Sequence, residues 1–117
     1  MEFFIRQNSE LPILKMQVVK DGRTNANKVF DKDLDTATIR FSMKNELNGI
    51  PKILMNNAYL TEKTQMNPDS PIEYYIYYKW GSRDTNTKGR FVGEFHIVNS
   101  MGELIAPIRE NLYINII

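Results

Sequence analysis

Hydrophobic and polar residues alternate with a period of two along much of the chain, and no helical period persists anywhere. In residues 72–80, Ile72, Tyr74, Ile76, Tyr78 and Trp80 fall on one face and Glu73, Tyr75, Tyr77 and Lys79 on the other. A strand patterned this way buries one side and leaves the other mixed. Residues 91–98 repeat it, with Phe91, Phe95 and Ile97 set against Glu94 and His96. Gly93 falls on the inward side, where a missing side chain admits a bulky neighbour such as Trp80. Ala37, Ile39, Phe41 and Met43 alternate with Thr38, Arg40, Ser42 and Lys44, and Leu14, Met16 and Val18 with Lys15 and Gln17. Leu112, Ile114 and Ile116 close the chain in the same fashion. Residues 3–8 and 51–60 read as weaker strands, and Pro51 starts its strand or lies on an edge because it has no N–H to donate. The predicted core is Trp80, Tyr78, Ile76, Phe41, Phe91, Phe95 and Ile114.

Turn signals separate these runs: Asp21-Gly22, Asn48-Gly49, Asn67-Pro68-Asp69, the stretch from Gly81 to Gly89, and Met101-Gly102. Asn99 to Gly102 predicts a hairpin, whereas Asp21-Gly22 opens a longer polar loop. A helix is expected only as a single turn around Asp33, Leu34 and Asp35. Six to eight short strands at this spacing predict an all-β domain, a sandwich or a small barrel, spanning residues 1–117 as one unit. No internal repeat, linker or low-complexity segment interrupts it.

Charge narrows the function. Fifteen Lys+Arg against fourteen Asp+Glu leave a net charge of +1, too little for a field that gathers nucleic acid or an anionic membrane. The absence of cysteine excludes disulfides, thiolate metal sites and Cys nucleophiles. The segment MEFFIRQNSELPIL has neither the basic start nor the long apolar stretch of a signal peptide, and no run reaches the roughly 18 apolar residues of a membrane span. The expectation is a soluble protein made in the cytoplasm.

Catalytic chemistry finds no foothold. His96 is the single histidine and lies on an outward strand position without an HxH, HxxxH or HExxH partner, which reads as a surface or edge histidine. Ser9, Ser42, Ser70, Ser82 and Ser100 lack a nucleophile-elbow context. Asp31, Asp33 and Asp35 mimic the start of a calcium loop but lack its glycine and its closing glutamate, so they read as a polar loop. No phosphate-binding glycine pattern is present. The expectations are no enzyme, no catalytic or metal residues and no cofactor.

Tyr75 and Tyr77 lie on the outward face beside Glu73 and Lys79. Two main readings stay open for them: packing against cross-strand neighbours, or a protein interface, which tyrosine suits. A sugar platform is a third, although Trp80, the usual stacking residue, falls on the core face.

The order of motifs carries further information. FFIRQNSELPIL leads into an alternating strand, DLDTATIRFSMKN follows, and the chain ends in YYKWGSRDTNTKGRFVGEFHIVNSMGELIAPIRENLYINII. Gln7, Asn8 and Pro12 open the pattern; Asp33, Leu34 and Ala37 enter a strand that runs through Phe41 and Met43. Trp80 ends a strand, a turn follows with Gly81, Asp84, Thr85 and Gly89, and Phe91, Glu94 and Phe95 begin the next. Gly102 marks a hairpin and Pro107 precedes the last strand. This arrangement resembles the Ig-like domain at the N-terminus of phage baseplate upper proteins, over nearly the whole chain and most specifically over residues 80–117. It departs from that pattern in the inserted Ser82-Arg83 and in Met101-Gly102, which stands where an Asp-Gly turn is usual.

The resemblance implies an Ig-like antiparallel β-sandwich of about seven strands. It also implies a non-enzymatic structural component of a phage virion, made in the host cytoplasm. In that family the domain anchors a longer chain with receptor-binding parts. The present sequence ends at the last strand, which leads us to expect a small building block: a tail or baseplate adaptor, or a capsid decoration or fibre-base subunit. Its partners would be other virion proteins in a homo- or hetero-oligomeric assembly, with no nucleic acid and no membrane. Candidate interface residues are Tyr75, Tyr77, Phe3 and Ile117. The alternative is a glycan-binding module for a host cell surface, using Tyr75 or Tyr77.

Overall fold

A computed structural model describes residues 1–18, 37–64, 73–100, 102–107 and 110–117. The single turn expected around Asp33 and the Asp31, Asp33 and Asp35 loop lie outside them. Among the described residues eight strands are present: β1 (Glu2–Ile5), β2 (Leu14–Val18), β3 (Thr38–Asn45), β4 (Pro51–Thr64), β5 (Glu73–Tyr78), β6 (Gly89–Asn99), β7 (Gly102–Ala106) and β8 (Leu112–Ile116). Among the described residues there is no helix. The domain is all-β, as its alternation predicts.

The strands join in the order β1-β8-β6-β3-β4-β5-β2, with β7 beside β6. β6 is the hub. One edge pairs with β3; the other pairs first with β8, over residues 89–93, and then with β7, over residues 95–99. β1 runs parallel to β8, and all other pairs are antiparallel. Eight described strands fall within the six to eight expected, and the antiparallel expectation is corrected at one pair, β1 with β8. Alternation tells which way each side chain faces, but it does not tell the relative direction of strands far apart in sequence.

β4 determines the shape. Its first part pairs with β3 and its second part with β5, with a register shift between Leu60 and Glu62. The sheet folds back on itself along this strand. β3 and β5 are not neighbours, yet Phe41 of β3 stacks on Tyr78 of β5 with ring centroids 4.7 Å apart. The result is nearly a closed barrel around one core.

Trp80, Tyr78, Ile76, Phe41, Phe91, Phe95 and Ile114 are all buried in that core. Trp80 meets Phe41 and Tyr78 edge-on, at 6.0 and 5.4 Å, and its indole N–H donates to the Pro12 carbonyl at 3.0 Å. Such edge-to-face rings add to the area they bury. The neighbour admitted by Gly93 is Phe41 rather than Trp80: a Cβ there would lie 3.0 Å from two Phe41 ring carbons.

The loop between β5 and β6 seals one end. Asp84 accepts from the Tyr78 hydroxyl at 2.5 Å and from the Gly81 N–H at 2.6 Å, while Asn56 donates to the same hydroxyl at 3.1 Å. Thr85 is fully buried; its hydroxyl donates to the Ser9 carbonyl, and its own carbonyl accepts from Asn8 N–H. Burial pushes the Tyr78 phenol up. The Asn56 hydrogen bond works against that shift, and the hydrogen bond to Asp84 and its charge work with it.

Two stability predictions follow from this core. Trp80→Ala lowers the unfolding free energy by about 3–5 kcal/mol in chemical denaturation; a midpoint close to wild type would place Trp80 outside the core. The raised Tyr78 phenol stays protonated in the fold while the unfolded chain ionises near a pH of about 10. Stability is therefore fully present below that pH and declines as pH rises past it. Tyr78→Phe gives a shallower alkaline decline, and an identical slope in the two proteins would refute the assignment.

Candidate functional site: the β3–β4 hairpin

The segment joining β3 to β4 uses asparagines to hold its own backbone. Asn45 Oδ1 accepts from the N–H groups of Leu47 and Asn48 at 2.8 and 3.2 Å, and Asn48 Oδ1 accepts from Ile50 N–H at 2.9 Å. Asn45 N–H donates to the Ile50 carbonyl at 3.0 Å, and Gly49 N–H to the Asn45 carbonyl at 2.9 Å. Gly49 sits at φ +71°, a conformation that costs glycine little. With the polar side chains turned onto the backbone, the apolar ones point out. Leu47 is 93% exposed and Ile50 63%. Glu46 fastens the turn to β6, its N–H donating to the Arg90 carbonyl and its carboxylate pairing with the Arg90 guanidinium at 3.4 Å.

β4 then bulges. The register passes from Met43↔Ile53 to Phe41↔Asn56, so Ser42 alone faces both Leu54 and Met55. Ser42 Oγ accepts from Met55 N–H at 2.8 Å, and Met55 takes φ +53°. A side chain in this left-handed region costs roughly 1–2 kcal/mol. The bulge turns Leu54 and Met55 outward together, and Leu54 is 70% exposed. It also explains why residues 51–60 alternate so weakly in sequence.

An open groove of about 190 Å³ lies alongside, with Met43, Pro51, Ile53, Leu54, Met55 and Val92 as its apolar walls and Ser42, Lys44, Glu94 and His96 at its polar margin. His96 sits on β6, which is flanked by β3 and β7, and its side chain is largely covered. It is therefore not the surface or edge histidine that the sequence predicts. Nδ1 lies 2.8 Å from Glu103 Oε1 and Nε2 lies 2.9 Å from Glu94 Oε1. The two carboxylates hold opposite ring nitrogens, so they do not converge on one point as metal ligands do, and neither nitrogen is left for a serine. Among the described residues no three His, Cys, Asp or Glu side chains group as a metal site.

The residues singled out from sequence are dispersed. Tyr75 and Tyr77 lie on the outer side of β5, both half-buried: Lys15 Nζ stands 5.1 Å from the Tyr75 ring centroid, and the Tyr77 ring lies 5.5 Å from that of Tyr59. Phe3 is half-buried, 5.8 Å from Trp80, because its register partner Ile114 is a core residue; Phe4 takes the outward place. Phe3 is thus corrected from an exposed terminal contact to a core-flanking one. Ile117 is exposed, and its backbone bonds to Ile5 and Gln7. Alternation does not single out Leu47, Ile50, Leu54 and Met55. The signal was present: two aliphatic residues bracketing Asn-Gly, where a turn is normally polar.

Comparison with known proteins finds no family model, no curated protein and no solved structure that matches this chain. Among the described residues no helix is long and apolar enough to cross a membrane.

Met55→Gly relieves the left-handed strain and is expected to raise stability by about 1 kcal/mol. Denaturant titration measures it, and a lowered midpoint would mean that the methionine side chain contributes more than its backbone costs.

Proposed function

We propose that this protein is a non-enzymatic building block that works through protein–protein contacts, and that the β3–β4 hairpin is its docking surface. The carrying observation is the set of exposed aliphatic and thioether side chains, Leu47, Ile50, Leu54 and Met55, held on a hydrogen-bonded turn and a bulged strand. Exposed large apolar side chains gathered on one element mark interaction sites. A preset backbone reduces the ordering cost of binding.

The setting we propose is a phage particle, with other virion proteins as partners in a homo- or hetero-oligomeric assembly. Its support is the sequence resemblance together with the structural roles of the residues that carry it. Gln7 Nε2 donates to the Asn86 carbonyl, Asn8 bonds Thr85, Asp84 holds Tyr78, and Trp80 fills the core. The Ig-like reading is supported by strand order. β8, β6 and β3 are consecutive neighbours, and β5 pairs with β2, in the manner of strands G, F, C and E, B of that fold.

A second reading, glycan binding, has one observation in its favour: Tyr59, half exposed, extends the Tyr75 and Tyr77 face by a third ring. One experiment separates the two. Particles purified from the source are examined by mass spectrometry for the wild-type chain and for a Leu47→Asp, Ile50→Asp variant that melts normally. The building-block reading expects the wild type in particles and the variant depleted at least about tenfold, as for loss of an anchor worth 1.4 kcal/mol or more. A chain absent from particles that binds glycans saturably, and loses that binding with Tyr59→Ala, would transfer the function to the tyrosine face.

A further inference from the structure

We propose that the hairpin is also a self-association site. Two copies meet about a two-fold axis, with Leu47 and Ile50 of each seated in the other's groove and Lys44 of each over the other's Glu94. This rests on the hairpin being the docking surface proposed above, and it names the partner as a second copy of this chain.

Three observations favour a copy over an unrelated protein. The turn that carries Leu47 and Ile50 joins Lys44 to Pro51, both of which line the groove, so one hairpin offers both the insert and its receptor. That is what an isologous two-fold contact requires. The groove's charged margin is also self-complementary. Lys44 and Glu94 lie one row apart across β3 and β6, since Lys44 pairs with Val92 and Ser42 with Glu94. Lys44 is exposed and, among the described residues, makes no ion pair. Glu94 gives Oε1 to His96, which leaves Oε2 for a partner. A two-fold rotation brings each lysine to the other copy's glutamate, and a rim of opposite charges fixes the register.

The third observation concerns the edge. Among the described residues no strand pairs with the outer side of residues 51–58 of β4. The bulge at Leu54 and Met55 interrupts that edge, which disfavours open-ended strand addition and leaves side chains to make the contact. A side-chain contact about a two-fold closes at two copies. The patch is modest against the roughly 1,000 Å² of a stable interface, so the dimer depends on concentration.

Sedimentation equilibrium over a concentration series tests the proposal. The proteins are wild type, Lys44→Glu, Glu94→Lys, an equimolar mixture of these two, and Leu47→Asp, each shown by circular dichroism to be folded. Wild type is expected to approach twice the 13.7 kDa of one chain. Each charge variant alone stays near one chain's mass, and their mixture dimerises again, because each then presents the charge the other needs. Leu47→Asp does not touch His96, so it tests the contact even where Glu94→Lys fails to fold; it weakens the dimer at least about tenfold. Wild type that stays monomeric, a mixture of folded variants that stays monomeric, or a dimer indifferent to Leu47→Asp would each overturn the proposal. Monomeric wild type together with particles that still reject the hairpin variant removes only self-association. Particles that accept the variant remove the docking surface itself.

Discussion

The stacking of Phe41 on Tyr78 is the contact on which the remaining architecture depends. The two residues belong to strands separated by β4, and they meet only because the sheet folds over along that strand. Phe41 also lies 4.9 Å from Phe95 and meets Trp80 edge-on, so one ring touches β5, its own strand's neighbour β6 and the indole that follows β5. Gly93 makes this possible. Any side chain there would push directly into the Phe41 ring, in an interior with little room to relax.

From the Tyr78 ring the same constraint passes into polar structure. Folding the sheet buries the phenol, and a buried hydroxyl needs partners. Asp84 and Asn56 supply them, and Asp84 also accepts from Gly81 N–H, which shapes the loop that closes the end. Thr85, next in the chain, is drawn inside and holds Ser9 and Asn8. The N-terminal segment is thereby led toward β8, where β1 adds in parallel. A core stack, a loop and the placement of the first strand form one connected arrangement.

Much of this can be read in the sequence wherever a period of two is the governing rule. The inward faces around Ile76, Phe41, Phe95 and Ile114 follow from alternation, and the place of Pro51 at the start of its strand follows from its missing N–H. Relations that alternation does not encode were not readable. Facing is a local property, but the parallel β1–β8 pair and the two-part pairing of β4 are set by distant chain. Phe3 reads as a candidate interface residue because a short strand near a terminus leaves two phenylalanines with no pattern to order them. Its register against Ile114 decides the matter. Glu94 could be placed beside His96 from two-residue spacing, whereas Glu103 reaches it only through the hairpin to β7. The hairpin surface was hidden because an Asn-Gly pair signals a turn, and a turn draws attention to its glycine rather than to the aliphatic residues around it.

The bulge in β4 is where fold and surface make opposing demands. A regular strand there would place Met55 in an ordinary conformation and hide one of the two side chains that now point out. It would also present a straight unpaired edge, a template for indiscriminate strand addition. The observed arrangement gives up roughly 1–2 kcal/mol of backbone comfort at Met55 and anchors the irregularity with Ser42 Oγ and the Arg40 guanidinium. Packing alone does not account for that choice, since Leu54 gains no burial from it. What the bulge secures is direction. Backbone pairing along the edge is interrupted, and Leu54 and Met55 are both turned out on the same hairpin that exposes Leu47 and Ile50.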